Sequence, residues 1–217
     1  MERQVIFDKF NTWYDWSLVL TSKSVPDPEI KDHYVELDGM SGTLDLTETL
    51  TGEVTYKDRP VTMSFWTNKG NRTDRAKLLR EIRTALHGKK VKIIDPDDLD
   101  HYFSGRIKIK SFTNNLAYLE FTIEATCDPW RYYNEESTRY VEASETPVDV
   151  VIINNGTKTL CPDIRVVGSV NITYNDASIT IKTGNVKIPE LKLRQGVNVI
   201  GVSGNGSVTF TYREAEI

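Results

Sequence analysis

Only one segment of this chain repeats its apolar residues at helical spacing; every other periodic segment alternates. Leu78, Leu79, Ile82, Ala85 and Leu86 fall at i, i+1, i+4, i+7 and i+8, which gathers them on one helical face, while Arg75, Lys77, Arg80, Arg83 and Thr84 face away. The spacing predicts a helix over 73–87, capped at its start by Thr73 or Asp74 and ended by Gly88 in the left-handed conformation. On either side the period is two. Gly39 to Phe65 sets glycine turns at Gly39, Gly42 and Gly52 among Leu44, Leu46, Val54 and Tyr56. After a turn at Lys57-Asp58-Arg59-Pro60, alternation resumes at Val61, Met63 and Phe65, the pattern of half-buried antiparallel strands. Ile107 and Ile109, then Leu119, Phe121, Ile123 and Ala125, alternate with polar partners across Thr113-Asn114-Asn115, which predicts a long hairpin. Pro26 and Pro28 exclude Ser22 to Asp32 from a sheet interior and make it a loop or an arm. One helix within a run of strands restricts the chain to a mainly β fold with the helix on one side of a sheet.

From Tyr132 to Pro147 the sequence is polar, acidic and aperiodic, which reads as a linker. Beyond it no tryptophan occurs, and Val150–Ile153, Ile164–Val167, Val170–Tyr174, Ser178–Ile181, Val197–Val202 and Val208–Tyr212 are each of strand length. Asn154-Asn155-Gly156, Asn175-Asp176, Gly184-Asn185 and Gly204-Asn205-Gly206 separate them as turns. This spacing predicts a small β-sandwich, with the domain boundary between residues 1–141 and 142–217. A length of 217 residues suffices for both cores.

Motifs that carry chemistry fail on inspection. Asp95, Asp97, Asp98 and Asp100 stand beside His101, but a calcium loop starting at Asp95 would need other residues at Leu99, Asp100 and Arg106, so the run reads as a solvated acidic loop. Ser41 has Thr43 where a nucleophile elbow needs glycine, and His33, His87 and His101 lie in no triad setting. Zinc spacing and a phosphate-cradling glycine turn are both missing. The expectation is no catalytic residue, no cofactor and no metal; the enzymatic rival is a glycosidase built from dispersed carboxylates. The basic group Arg72, Arg75, Lys77, Arg80, Arg83, Lys89, Lys90 and Lys92 reads as a solvated face and not a specific nucleic-acid surface, given a net charge of -4 spread evenly over the two expected domains. Trp13, Tyr14, Trp16, Trp66, Trp130, Tyr132 and Tyr133 read as core or interface residues, not a sugar platform. The polar opening lacks the apolar core of a signal peptide and no stretch is long enough to span a membrane, so synthesis in a bacterial-type cytoplasm is expected, with Cys127 and Cys161 as reduced, buried, apolar residues.

The order of residues in Gly39 to Phe65, with its Asp45-Leu46-Thr47-Glu48 run and its Tyr56-x-x-Arg59-Pro60 turn, resembles the distal tail protein (Dit) family of siphophages and related phage tails. The resemblance extends to Phe7-Asp8, the helix ending at Gly88, Phe121-Thr122-Ile123 with Asp128-Pro129-Trp130, Asn154-Asn155-Gly156-Thr157 with Pro162, and the ending from Gly206 to Glu214. It implies an N-terminal β-sandwich with one helix, residues 1–141, that forms a homo-hexameric ring, and a galectin-like β-sandwich, residues 142–217, outside it. It further implies a structural protein of the virion, made in the host cytoplasm, whose ring joins the tail tube protein to the tail-tip or baseplate proteins and anchors receptor-binding components. The alternative is a carbohydrate-binding module of the tail tip. Against it, the second domain offers as aromatics only Tyr174, Phe210 and Tyr212, the last two on one face of a strand with Val208, so a protein-docking domain is expected.

Overall fold

The computed structural model describes residues 4–49, 51–175 and 177–217. The chain forms two compact units, Met1–Arg131 and Tyr132–Ile217. In the first, β1 (Ile6–Phe7), β2 (Phe10–Asn11) and β3 (Val19–Ser24) are followed by a small ribbon of β4 (Tyr34–Glu36) and β5 (Thr43–Asp45). Next come β6 (Arg59–Thr67), α1 (Arg72–Leu86), β7 (Lys90–Asp95), β8 (Asp98–Asn114) and β9 (Leu119–Tyr133). The main sheet runs in the order β2-β1-β7-β8-β9-β6-β3.

Cross-strand register explains its core. Phe65, Met63 and Val61 on β6 lie opposite Phe121, Ile123 and Ala125 on β9, so two buried rows meet directly. The rings of Phe65 and Phe121 stack at 5.7 Å, and Phe7 meets Phe65 edge-on at 6.1 Å. From the helix, Leu79, Ile82 and Leu86 join this same cluster. Gly88, at φ +80, ends the helix as the sequence predicts. The start differs. Asn71, not Thr73 or Asp74, is the cap: its side chain accepts from the backbone of Thr73 and Asp74, and Asp74 reaches back to the Asn71 backbone, completing a capping box.

Two cations are inside. Arg59 belongs to β6 instead of a turn: it is 1% exposed, opposite Cys127, donates to the Pro129 carbonyl at 2.6 Å and lies 5.2 Å from the Phe103 ring centre. The inward row therefore begins at Arg59. Burial, and next the charge of Arg131, lower its pKa. Arg75, expected on the solvent face, is also 1% exposed, because it sits in the first helical turn where loop carbonyls converge.

The second unit contains β10 (Ser137–Ala143), β11 (Val148–Asn154), β12 (Asp163–Tyr174), β13 (Ala177–Lys187), β14 (Gly196–Tyr212) and β15 (Ala215–Glu216). The expected linker is in part the strand β10, paired with β14 from Ser137↔Tyr212 to Ala143↔Gly206, and the compact units divide after Arg131, not at 141. An edge strand with no fully buried residue, only Val141 and Ala143 packing partly on the core, shows weak alternation, which is why its sequence reads as linker. Strands expected as separate are also continuous. Gly204-Asn205-Gly206 lies within β14 and Gly184-Asn185 within β13; Asp176 of the expected Asn175-Asp176 turn is outside the described residues. Gly206 (φ +150) lies opposite Gly168 (φ +90) in the antiparallel pairing of β12 with β14, and a Cβ there would run into the Val167 carbonyl oxygen. The glycines mark a bend in two long paired strands. Parity survives the bend, so Val202, Val208 and Phe210 of β14 and Val166, Val170 and Ile172 of β12 face one core.

Candidate assembly surface

Between β3 and β6 the chain leaves the main sheet as an arm. Pro26 and Pro28 remove backbone donors just past Ser24, so pairing stops there. The two legs then hold each other: Lys31 donates to the Thr55 carbonyl at 2.8 Å, Lys57 to the Glu29 carbonyl at 2.7 Å, and the Lys57 ammonium pairs with Glu29 at 3.0 Å. At the root Tyr56 meets Trp130 edge-on at 5.6 Å. Further out, Tyr34, Val35 and Glu36 pair with Asp45, Leu44 and Thr43. Asp45 accepts from the Thr47 backbone at 2.9 Å, and hydrogen bonds from Thr47 lower its pKa. Among the described residues β4 and β5 form a two-stranded sheet of their own. Such a ribbon is marginal alone in water. Tyr34 (56% exposed), Leu37, Met40 and Leu44 stand out to solvent along it. The expectation of half-buried strands across Gly39 to Phe65 therefore holds from Arg59 onward and fails for the ribbon, whose β5 is exposed throughout.

The arm is also strongly acidic. Residues 25–58 hold nine carboxylates against two lysines, a formal charge of -7. Residues 69–92, on α1 and β7, hold nine cations against two carboxylates, +7. An even balance over whole domains conceals this separation; a count over shorter windows shows it. On α1, Lys77 and Arg80 project from the face opposite Leu79 and Ile82, with Arg72 and Arg83 at its border. The Arg83 guanidinium lies 4.7 Å from the ring centre of the exposed Phe112. Arg75 does different work. Its guanidinium donates to the carbonyls of Gly70 at 2.5 Å, Asn115 at 2.8 Å and Leu116 at 3.0 Å, tying the helix start to the β8–β9 loop.

The acidic run at the β7–β8 turn is partly paired, while Asp97 and Asp100 stay exposed as the sequence suggests. Lys23 bridges Asp95 at 2.6 Å and Asp97 at 2.5 Å, and Asp98 holds His101 Nδ1 at 2.7 Å and Arg131 at 3.2 Å. Burial acts to lower the Lys23 pKa, but the hydrogen bonds it donates to Asp95 and Asp97, with their charges, outweigh it and hold it above the ordinary value. Among the described residues no three His, Cys, Asp or Glu side chains form a group able to hold a metal ion. The histidines are dispersed: His33 is exposed beside β4, and His87 Nδ1 accepts from the Ile109 backbone at 3.1 Å. Both cysteines are free; Cys127 is fully buried, and Cys161 is partly exposed and donates to the Ile188 carbonyl. Trp16 is core, stacked on Phe10 at 5.0 Å, whereas Trp66 pairs with Tyr118 at 6.5 Å, both half-buried, and Tyr14 is exposed. No helix among the described residues is long and apolar enough to cross a membrane.

No family model matches the chain, and no curated protein matches it. Among solved structures it is similar to the Dit protein (gp 19.1) of SPP1, titled a paradigm of the hub adsorption apparatus in phages that infect Gram-positive bacteria. The TM-score is 0.72 at 16% identity, covering 99% of this chain and 99% of that one. At that identity the likeness is one of fold, and it spans both units.

Proposed function

We propose that this chain is a structural hub of a phage tail, a Dit-type protein that closes into a hexameric ring. The ring joins the tail tube to the tail tip or baseplate and anchors receptor-binding components. The observation that carries the reading is the arm: a ribbon with exposed apolar residues that pairs only with itself, on a fold shared end to end with a tail hub. A protruding element and the different surface that receives it make a heterologous contact, which repeated by rotation closes a ring. The role is architectural and needs no catalytic group, cofactor or metal. For the second unit the same reading assigns protein docking over sugar binding. Phe210 is fully buried, the Tyr174 hydroxyl donates to the Lys192 carbonyl at 2.6 Å and the Tyr212 hydroxyl to the Ile153 carbonyl at 3.1 Å, so these three aromatics are engaged internally, while Tyr140 on β10 is exposed.

Native mass spectrometry over a range of protein concentrations, with and without tail-tube protein, tests the ring. A closed oligomer of six chains is the expected result. A strict monomer that also fails to bind tail-tube protein refutes the proposal. Saturable binding of host surface glycans, lost on Tyr212→Ala, would overturn the assignment of the second unit.

A further inference from the structure

We infer that in the assembled ring the acidic arm of one copy seats on the basic helical face of the next copy. This rests on the ring reading and names the two surfaces that meet. Both lie in the first unit and carry opposite formal charges of equal size, -7 over residues 25–58 and +7 over residues 69–92. Several of these charges have no oppositely charged side chain at ion-pair distance in the single chain. Among the described residues, Asp32, Glu36, Asp38 and Glu48 on the arm have no cation at ion-pair distance, and Lys77, Arg80 and Arg83 on the helix have no carboxylate there. Apolar groups accompany each set. Tyr34, Leu37, Met40 and Leu44 are exposed on the ribbon, while Phe112, under Arg83, and Leu116 at the β8–β9 loop are exposed beside α1. A second copy is favoured over an unrelated basic partner because the chain itself supplies the complement to its own arm. One protruding surface and one receiving surface per copy is also what a closed heterologous ring requires. Opposed patches of this kind set register and reject wrong pairings, and their contribution falls with salt.

The test uses the full chain and sedimentation at low and high sodium chloride. Wild-type association is expected to weaken by about tenfold or more between roughly 0.05 and 0.5 M salt. A helix-reversed variant, Lys77→Glu with Arg80→Glu, and an arm-reversed variant, Glu36→Lys with Asp38→Lys, should each lose association by at least about tenfold. Mixed in equal amounts they should assemble again, since copies alternating around an even-numbered ring place every reversed arm on a reversed helix and every native arm on a native helix. All four positions are exposed, so each variant should keep the wild-type circular dichroism spectrum. If wild type stays monomeric at every salt concentration and also fails to bind tail-tube protein, the ring reading and this inference fall together. If wild type forms rings and the variants do so equally well, or the mixture fails to recover, the ring stands and the arm-to-helix contact is overturned.

Discussion

Arg75 offers the sharpest test of how the first unit is held together. It is 1% exposed and its guanidinium donates to three carbonyls at 2.5–3.0 Å, one before the helix and two in the loop joining β8 to β9. A hydrogen bond from a charged donor contributes roughly 1.5–3 kcal/mol, but the loop is at the surface and its carbonyls regain water when the arginine is removed. Arg75→Ala should therefore destabilise by about 3 kcal/mol, less than the sum of three bonds, and lower the midpoint of thermal unfolding by roughly 10 °C for a unit of this size. Arg75→Lys keeps the charge but loses the planar fork, and about half the loss is expected. The control is Arg80→Ala on the same helix, exposed and without such bonds, for which less than about 0.5 kcal/mol is expected. Urea titration followed by tryptophan fluorescence reads this unit alone, since Trp13, Trp16, Trp66 and Trp130 all precede residue 132. High salt keeps assembly out of the measurement. Equal unfolding midpoints for Arg75→Ala and Arg80→Ala would refute the reasoning.

Gly206→Ala should cost about 3 kcal/mol or more, because φ is +150 and the new Cβ meets the backbone of Val167 and Gly168, not a side chain that can move. A chemical melt followed by circular dichroism checks this, and a loss below about 1 kcal/mol would show that β12 and β14 can move apart at this pair. Cys127 should resist alkylation in the folded protein while Cys161 reacts first, because burial, then the charge of Asp128, push the Cys127 thiol up from 9.0 to about 12. The folded state then holds a proton that the unfolded chain releases, so this contribution is complete below about pH 9 and is lost as pH rises towards 12, on the order of 4 kcal/mol at most. The steepness of the alkaline stability loss should drop more in Cys127→Ala than in Cys161→Ala, whose thiol is also raised by burial but is only partly buried; equal curves for both would exclude Cys127 as the main source.

Much of the architecture was legible because burial imposes periodicity. The alternating runs at Val61 to Phe65 and Leu119 to Ala125 are the facing rows of the first core, and the residues at helical spacing are those that α1 buries or half-buries. Where the reading failed, the local signal was ambiguous in kind. Thr73, Asp74 and Asn71 are all good caps, and only the position of the first helical turn selects Asn71. Gly204 and Gly206 favour a turn or a bend equally, and pairing of β14 with β12 on one side and β10 and β11 on the other keeps the strand continuous. The candidate surface was half legible: the prolines announced an arm, but the charge separation is diluted in any whole-domain sum.

By itself the sequence determined the mainly β class, the single helix and the inward rows of both cores, since these depend on the spacing of neighbouring side chains along one element. The tertiary structure alone decided what distant segments do to one another. It placed Arg59 and Arg75 inside, because the carbonyls that receive them come from Pro129, Gly70, Asn115 and Leu116 and from no residue whose spacing announces a partner. It left the Tyr34–Asp45 ribbon outside the main sheet, where alternation that elsewhere faces a core faces solvent instead. Periodicity records that a segment has an apolar face; which surface covers that face depends on contacts between segments far apart in the chain.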